Sequence, residues 1–98
     1  MLYQRLDGSL GIIDYKTDQI SATEADNRML QYRRQGAAYA LAVQEATGMP
    51  VGTVEFVFAS LGETRRIEGD DLTALIRHVS TVLGQFGVQA PYEGADAL

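Results

Sequence analysis

Asp14 and Lys16 stand one residue apart in the sequence GIIDYKT, at the end of a short run of β-branched residues. Side chains alternate between the two faces of a strand, so these charged groups lie on one face and Tyr15 lies on the other. A carboxylate can ligate a divalent metal ion, and a neighbouring ammonium can neutralise charge that develops on a phosphate. The pair therefore suits phosphodiester hydrolysis. The same spacing also occurs in solvated surface ion pairs, and the pair alone leaves that alternative open.

A second polar pair, Gln35 and Tyr39, stands in the sequence YRRQGAAY. The surrounding residues favour helix, and residues four apart share one helical face, so the amide and the phenol lie one turn apart on one side. Together the two groups can hold a phosphate or brace a carboxylate. A tyrosine on a helix is also often a core residue, and the spacing does not decide between these roles.

The composition is that of an ordinary small globular domain, with 98 residues of which 46% are hydrophobic. The absence of cysteine excludes disulfides, thiolate metal sites, iron–sulfur clusters and cysteine nucleophiles. The longest apolar runs are far shorter than a bilayer span and no signal-peptide pattern opens the chain, so we expect a cytoplasmic protein.

The net charge of -5 weighs against strong binding to nucleic acid, because phosphate contacts need clustered lysine and arginine. The basic residues are unevenly spread, however, with Arg28, Arg33 and Arg34 close together and Arg65 beside Arg66. If this domain meets DNA, we expect a larger basic assembly to supply much of the affinity.

Two strand-like runs, residues 2–6 and 10–17, flank the tripeptide DGS at positions 7–9. Asp-Gly between such runs predicts a β-hairpin with a type I′ turn, in which both central residues take positive φ. A two- or three-residue loop places Asp14 opposite position 1 or 2. Because no strand has room to begin there, we expect the chain to be a piece of a longer domain.

A long helix is predicted from about Glu24 to Thr47, with Ser21 or Thr23 as its N-cap and the least certain helical turn near residues 26–27. Small residues in its second half allow it to lie close against a sheet. Residues at three- and four-residue steps form one predicted buried stripe: Met29, Tyr32, Gly36, Tyr39 or Ala40, and Val43.

A central strand is predicted over Val51–Ser60, because apolar residues on both faces are typical of a strand covered on both sides. A short basic edge strand is predicted over Thr64–Ile67. The sequence GDD at positions 69–71 then opens a second helix, with acidic residues in its first turn.

The second helix is predicted to end between Gly84 and Gly87. Its apolar face is formed by Leu72, Leu75, Ile76, Val79, Leu83 and Phe86. His78, the only histidine, falls beside this face and is interpreted as a solvated residue. We assign the domain to residues 1–87 and expect a flexible tail over residues 88–98.

The two polar pairs together form a more specific pattern: a strand with Asp-x-Lys, a polar gap, and a helix with Gln-x-x-x-Tyr. In this pattern the chain resembles the RecB-like branch of the PD-(D/E)xK nuclease superfamily. The sequences IDYKTD and YRRQGAAYALA look like the C-terminal nuclease domain of AddA/RecB-type ATP-dependent helicase–nucleases, and ATGMPV with VEFVFAS fits the strand that follows. The resemblance covers residues 1–60 well and the last helix only in outline.

The resemblance implies an α/β domain with a restriction-endonuclease-like fold, in which a mixed sheet is flanked by helices, here truncated at its N-terminus. It implies that Asp14 is a metal-binding acid, that Lys16 is the catalytic lysine, and that the backbone carbonyl of Tyr15 is a further metal ligand. The implied cofactor is Mg²⁺, with Mn²⁺ as a substitute, and the implied substrate is DNA.

The resemblance also assigns a supporting role to residues of the long helix. Gln35 and Tyr39 match the family's helix motif, which supports the active site and faces the DNA, and Arg33 and Arg34 beside them are candidate DNA contacts. The family has another metal-binding aspartate in the preceding strand and an acid or histidine further upstream. Neither is recognised in this sequence, so we expect these 98 residues alone to be inactive.

The implied context is an exonuclease domain that acts in double-strand break repair and recombination. Helicase domains of the same chain would bind ATP, and an AddB/RecC-type subunit is a further expected partner. A stand-alone Cas4-type exonuclease is one alternative, although the absence of cysteine argues against its iron–sulfur members. The other alternative is a non-catalytic DNA-channel or subunit-docking domain, in which Asp14 and Lys16 are only a surface pair.

An uncovered sheet face and an unpaired first strand favour association with a second copy. We expect a dimer or a higher oligomer of this chain. The positions expected to be exposed are Leu2, Ile12 and the apolar face of residues 51–58.

Overall fold

A computed structural model describes residues 1–85; Phe86 and the predicted tail over residues 88–98 lie outside the described part. Four strands and two helices follow one another along these residues. They are β1 (Leu2–Gln4), β2 (Leu10–Lys16), α1 (Ala22–Thr47), β3 (Val51–Phe58), β4 (Glu63–Glu68) and α2 (Gly69–Gln85).

The strands form one sheet in the order β1-β2-β3-β4. β2 and β3 are parallel, whereas the two outer pairs are antiparallel. Parallel neighbours need a crossover connection, and α1 provides it. The predicted mixed α/β sheet is confirmed, as is the edge position of the short strand that carries Arg65 and Arg66.

The β1–β2 hairpin turns through a three-residue loop, closed by a hydrogen bond of 2.8 Å from the N–H of Arg5 to the carbonyl of Ser9. Gly8 has a φ of 88°, but no residue other than glycine has positive φ in the described chain, so the predicted type I′ turn is wrong. A three-residue loop with glycine in the left-handed region turns the chain instead. Asp7 stabilises the loop by accepting from the N–H of Ser9 at 2.9 Å and from its hydroxyl at 2.6 Å.

The hairpin register also differs from the prediction. Leu2 pairs with Ile12, and Met1 exchanges both backbone hydrogen bonds with Ile13. Asp14 therefore lies one position beyond the partner of Met1, rather than opposite position 1 or 2. The error follows from the position of the loop, which spans residues 6–8 rather than 7–9. Moving a loop of fixed length by one residue shifts the pairing by two positions.

α1 is capped at its start by Ser21, whose hydroxyl accepts a hydrogen bond of 3.1 Å from the N–H of Glu24. This confirms Ser21 over Thr23 as the N-cap, and the residues near Asp26 are helical. The helix passes so close to the sheet that a Cβ at Gly36 would lie 2.8 Å from Cζ of Phe56. Close packing of α1 against β3 therefore requires a small residue at this position.

One hydrophobic core lies between the sheet and the two helices. β3 occupies the centre of the sheet and turns Val54, Phe56 and Phe58 toward the helices, where all three are buried. Its alternate residues include Glu55 and Val57, which are only half-buried. Both described helices pack on one face, so the prediction that β3 is covered on both sides is wrong for residues 1–85.

The packing of the helices determines which predicted apolar residues are buried. Ile12 and the apolar face of β3 are buried, which contradicts their predicted exposure, whereas Leu2 is 45% exposed as expected. In the stripe of α1 the buried alternative is Ala40 and not Tyr39. His78 is exposed on α2, as predicted.

Candidate active site

Asp14 and Lys16 lie near the end of β2, on the face that packs against α1. The Nζ atom of Lys16 is 2.9 Å from Oδ2 of Asp14. The lysine side chain is 21% exposed and the aspartate side chain is 40% exposed. The ion pair is therefore partly withdrawn from water, where its charges are screened less than those of a surface pair.

Asp14 forms part of the wall of a cleft of about 360 Å³ between β2 and α1. Gln35 and Tyr39 line the same cleft from α1, so the strand and the helix bring Asp14 to one cleft with the second predicted polar pair, whereas Lys16 contacts the cleft only through Asp14. Tyr39 is 56% exposed and belongs to the cleft rather than to the core. The cleft is lined by Met1, Ile12, Ile13, Asp14, Gln35, Gly36, Tyr39 and Val54.

The backbone of β2 leaves one carbonyl group directed away from the parallel neighbour. Ile13 bonds with Met1 of β1, and the carbonyl of Lys16 bonds with the N–H of Ala59 beyond β3. Successive residues of a strand direct their backbone groups to alternate sides, so the carbonyl of Tyr15 points toward the β1 side. Pairing with β1 ends at Ile13 in the described chain, which leaves this oxygen available to a ligand.

Arg33 and Arg34 lie apart from this cleft. Arg33 is half-buried, and Arg34 borders a depression between the helices that is also lined by His78, Val79, Val82 and Leu83 of α2. Gln35 and Tyr39 occupy the flank of α1 that faces β2, whereas Arg34 occupies the flank that faces α2. The structure thus separates Arg34 from the acid–lysine pair by the width of the helix.

Two residues beside the site were not among the predicted site residues. The ring of Tyr32 lies beneath Lys16, with Nζ 4.3 Å from the ring centroid. A hydrogen bond from Arg28 to the hydroxyl of Tyr32 raises the pKa of that guanidinium, and the nearby carboxylate of Glu24 contributes in the same direction. The sequence signal was present, because positions 28, 32, 35 and 39 follow helical spacing, but Tyr32 was assigned to the core alone.

The cleft supplies only part of a ligand set for a metal ion. Asp14 offers one carboxylate, the carbonyl of Tyr15 offers a second oxygen, and residues 1–85 contain no group of three or more His, Asp or Glu side chains placed to hold an ion. Mg²⁺ takes six oxygen ligands but commonly keeps several waters and uses one or two carboxylates together with substrate phosphates. The two protein oxygens therefore fit a weak site that substrate or further ligands must complete.

The fold and site together define an α/β protein with an acid and a lysine on a strand, opposite a helix that presents an amide and a phenol. A family model described as the PD-(D/E)XK nuclease superfamily matches residues 2–93. The chain therefore belongs to this superfamily, whose members are generally nucleases and typically use divalent metal ions. Its mixed four-stranded sheet with two helices is consistent with the restriction-endonuclease-like fold.

Searches of the curated proteins and of the solved structures found no significant match. Within residues 1–85, neither helix is both long and apolar enough to cross a membrane.

Proposed function

We propose that this chain forms part of a Mg²⁺-dependent deoxyribonuclease that hydrolyses phosphodiester bonds in the cleft between β2 and α1. The observation that supports this most directly is that Asp14 lines the cleft together with Gln35 and Tyr39, and that its carboxylate is paired with the partly buried Lys16 at 2.9 Å. Membership of the PD-(D/E)XK superfamily supports nuclease chemistry at this pair.

In this proposal each side chain has a distinct role. Lys16 carries a positive charge that can hold a phosphate oxygen and stabilise charge developing on it. Asp14 and the carbonyl of Tyr15 hold the divalent ion, Mg²⁺ or Mn²⁺. When bound, such an ion supplies an activated water and further stabilisation of negative charge. Gln35 and Tyr39 orient the substrate strand from the helix side.

We propose that the DNA is held mainly outside the cleft. The chain has a net charge of -5, so Lys16 beside the cleft cannot alone supply the phosphate contacts that tight binding needs. Arg33 and Arg34 are proposed contacts to DNA that extends over α1. Other domains or a partner subunit supply the remaining basic surface.

The proposed biological context is an AddA/RecB-type helicase–nuclease that acts in cytoplasmic repair and recombination of DNA breaks. Helicase domains of that protein would bind ATP, and an AddB/RecC-type subunit would be the partner. The support for this context is the resemblance of the sequences IDYKTD and YRRQGAAYALA to that branch of the superfamily.

A non-catalytic DNA-channel or subunit-docking domain is the second candidate function. It is favoured by the single carboxylate in the cleft, which is already paired with Lys16 at 2.9 Å. In that case the ion pair would serve only to stabilise the end of β2, and the cleft would bind DNA or protein without cleaving it.

The two candidates are separated by measuring the digestion of labelled linear duplex and single-stranded DNA by the complete natural protein, with Mg²⁺ or Mn²⁺. Asp14→Asn and Lys16→Met are each expected to lower cleavage about 10³-fold, because metal and charge stabilisation are large catalytic effects. Any ATP hydrolysis and unwinding should persist. Arg77→Gln, which removes an exposed charge from α2, is the matched control.

Each variant tests one residue of the pair. Cleavage at the wild-type rate by Asp14→Asn or by Lys16→Met contradicts the proposed role of the residue that was replaced. Absence of cleavage by the unaltered protein, together with retained binding of DNA, supports the non-catalytic function instead.

A further inference from the structure

Tyr32 occupies the junction between the core and the candidate active site. It is only 8% exposed, and its ring lies 6.2 Å from the ring centroid of Phe56 and 6.0 Å from that of Phe58. One face of the ring is turned toward Lys16, whose Nζ atom is 4.3 Å from its centroid. The aromatic cluster of β3 thus fixes a ring directly under the ammonium group.

This contact restrains Lys16 in a way that the ion pair with Asp14 does not. A lysine side chain has many rotamers and loses conformational entropy when a single one is held. The negative face of an aromatic ring attracts an ammonium, and the attraction is stronger where water is partly excluded, as at this 21% exposed side chain. The ring face is not an oxygen acceptor, so the N–H groups directed away from it remain available to Asp14 and to a phosphate oxygen.

We propose that Tyr32 is a positioning residue, whose ring face holds the ammonium of Lys16 beside Asp14 while that carboxylate and the substrate phosphate compete for it. This inference rests on the proposed nuclease function of the Asp14–Lys16 pair. It extends that function to a residue of α1 whose ring otherwise packs against Phe56 and Phe58 in the core.

The ring and the hydroxyl of Tyr32 have separable roles. The hydroxyl interacts with the guanidinium of Arg28 and raises its pKa, and we expect its loss to leave the ring and its aromatic neighbours in place. Tyr32→Phe should therefore keep Lys16 in position, whereas Tyr32→Leu removes the aromatic face and keeps only apolar bulk. Leu72→Ala is the matched control, because it removes buried apolar volume from the same core at the start of α2, which carries none of the proposed site residues.

The kinetic test uses the complete natural protein and the DNA cleavage assay, at temperatures where every variant is folded. Tyr32→Leu is expected to lower kcat about five- to tenfold, with KM changed less than about twofold. Tyr32→Phe should restore most of the kcat, and Leu72→Ala should retain it despite a lower melting temperature. Equal losses of kcat in Tyr32→Leu and Leu72→Ala would show a general packing effect and overturn the proposal.

A spectroscopic test decides the position of Lys16 independently of activity. A ring face under the ammonium shifts the Hε resonances of Lys16 upfield, and this shift should remain in Tyr32→Phe and disappear in Tyr32→Leu. An unchanged Lys16 spectrum in Tyr32→Leu would contradict the proposal. If Tyr32→Leu does not fold, Tyr32→Met is measured in its place, since a flexible thioether fills similar volume.

The two tests also distinguish this inference from the proposed function. If the unaltered protein does not cleave DNA, the proposed function is wrong, and the spectrum of Lys16 alone decides whether Tyr32 positions it. If the protein cleaves DNA but Tyr32→Leu has wild-type kcat, the nuclease function stands and the positioning role is wrong.

Discussion

Tyr39 shows how a single residue separates a core role from a site role. It is 56% exposed and lines the cleft with Gln35, so its replacement should cost little packing. We expect Tyr39→Ala to lower DNA cleavage about fivefold, the effect of one lost hydrogen bond, while the melting temperature changes little. Tyr39→Phe should have the same melting temperature and report the hydroxyl alone. Cleavage assays and thermal unfolding of both variants check this. A large drop in melting temperature would show that Tyr39 contributes mainly to core packing.

Asp7 is expected to make the hairpin sensitive to acid. Hydrogen bonds from the side chain and then the backbone of Ser9, together with the nearby charge of Arg5, hold the pKa of this carboxyl below its usual value. A lowered pKa in the folded state means that the stabilisation is present above the ordinary pKa and is lost as the pH falls through the folded value. NMR titration of the carboxyl should show the low pKa in the wild type and a value closer to normal in Ser9→Ala.

Asp7→Asn provides the control for this pH dependence. It keeps an acceptor for the Ser9 hydrogen bonds but cannot titrate. The part of the acid sensitivity of the unfolding free energy that comes from Asp7 should therefore disappear. Wild-type unfolding that responds to acid in the same way as Asp7→Asn would show that Asp7 does not contribute.

Much of the candidate site could be predicted at the residue scale, because local periods place side chains reliably. Alternation along a strand puts Asp14 and Lys16 on one face, and the helical period puts Gln35 four residues from Tyr39. The meeting of the two pairs at one cleft depends on tertiary packing. The helical period predicts that Tyr32 is buried, but it does not show that one face of the ring contacts Lys16. The role of Tyr32 beside the site was therefore missed.

At the scale of elements, loop geometry limited the prediction more than strand or helix propensity did. Capping by Ser21 and the run of β-branched and aromatic residues in β3 predicted those two elements closely. The hairpin register was wrong because its three-residue loop closes between Arg5 and Ser9. One-sided coverage of β3 was missed because Val57 looks apolar in the sequence but is only half-buried.

The approach of α1 to the sheet predicts opposite effects for one substitution in the two helices. Gly36→Ala gains helix propensity of about 1 kcal/mol. Its Cβ would lie 2.8 Å from Phe56 and 3.1 Å from Val54, however, and such overpacking costs about 1–3 kcal/mol. We expect a net loss of stability, measured as a lower midpoint of denaturant unfolding.

Gly84→Ala in α2 is the matched control for this prediction. Within residues 1–85, nothing apart from its chain neighbours and its own helix backbone lies within 4 Å of the position its Cβ would take, so we expect only the propensity gain, reduced near the end of the helix. The variant should be as stable as the wild type or slightly more stable. A stabilised Gly36→Ala protein would mean that α1 and β3 are further apart than described.

At the scale of the whole molecule, the sheet has helices on one face and two open edges in the described chain. Self-association was predicted partly from exposure of Ile12 and β3, and these residues are buried under the helices. The remaining basis is the edge strand β1. On either side of this strand, Met1 bonds with Ile13 and Arg5 bonds with Ser9, so the backbone groups of Leu2 and Gln4 face outward.

Outward N–H and C=O groups on a short edge strand can pair with the same strand of a second copy. We therefore expect a reversible dimer at tens of micromolar, measured by sedimentation or light scattering, and stronger in high salt because the net charge of -5 opposes association. Gln4→Pro removes one outward N–H without removing a bond to β2, and it should weaken the dimer, whereas Gln4→Ala should not. A wild-type monomer across this concentration range would contradict edge pairing. An equally strong dimer of Gln4→Pro would show that the dimer contact lies on another surface.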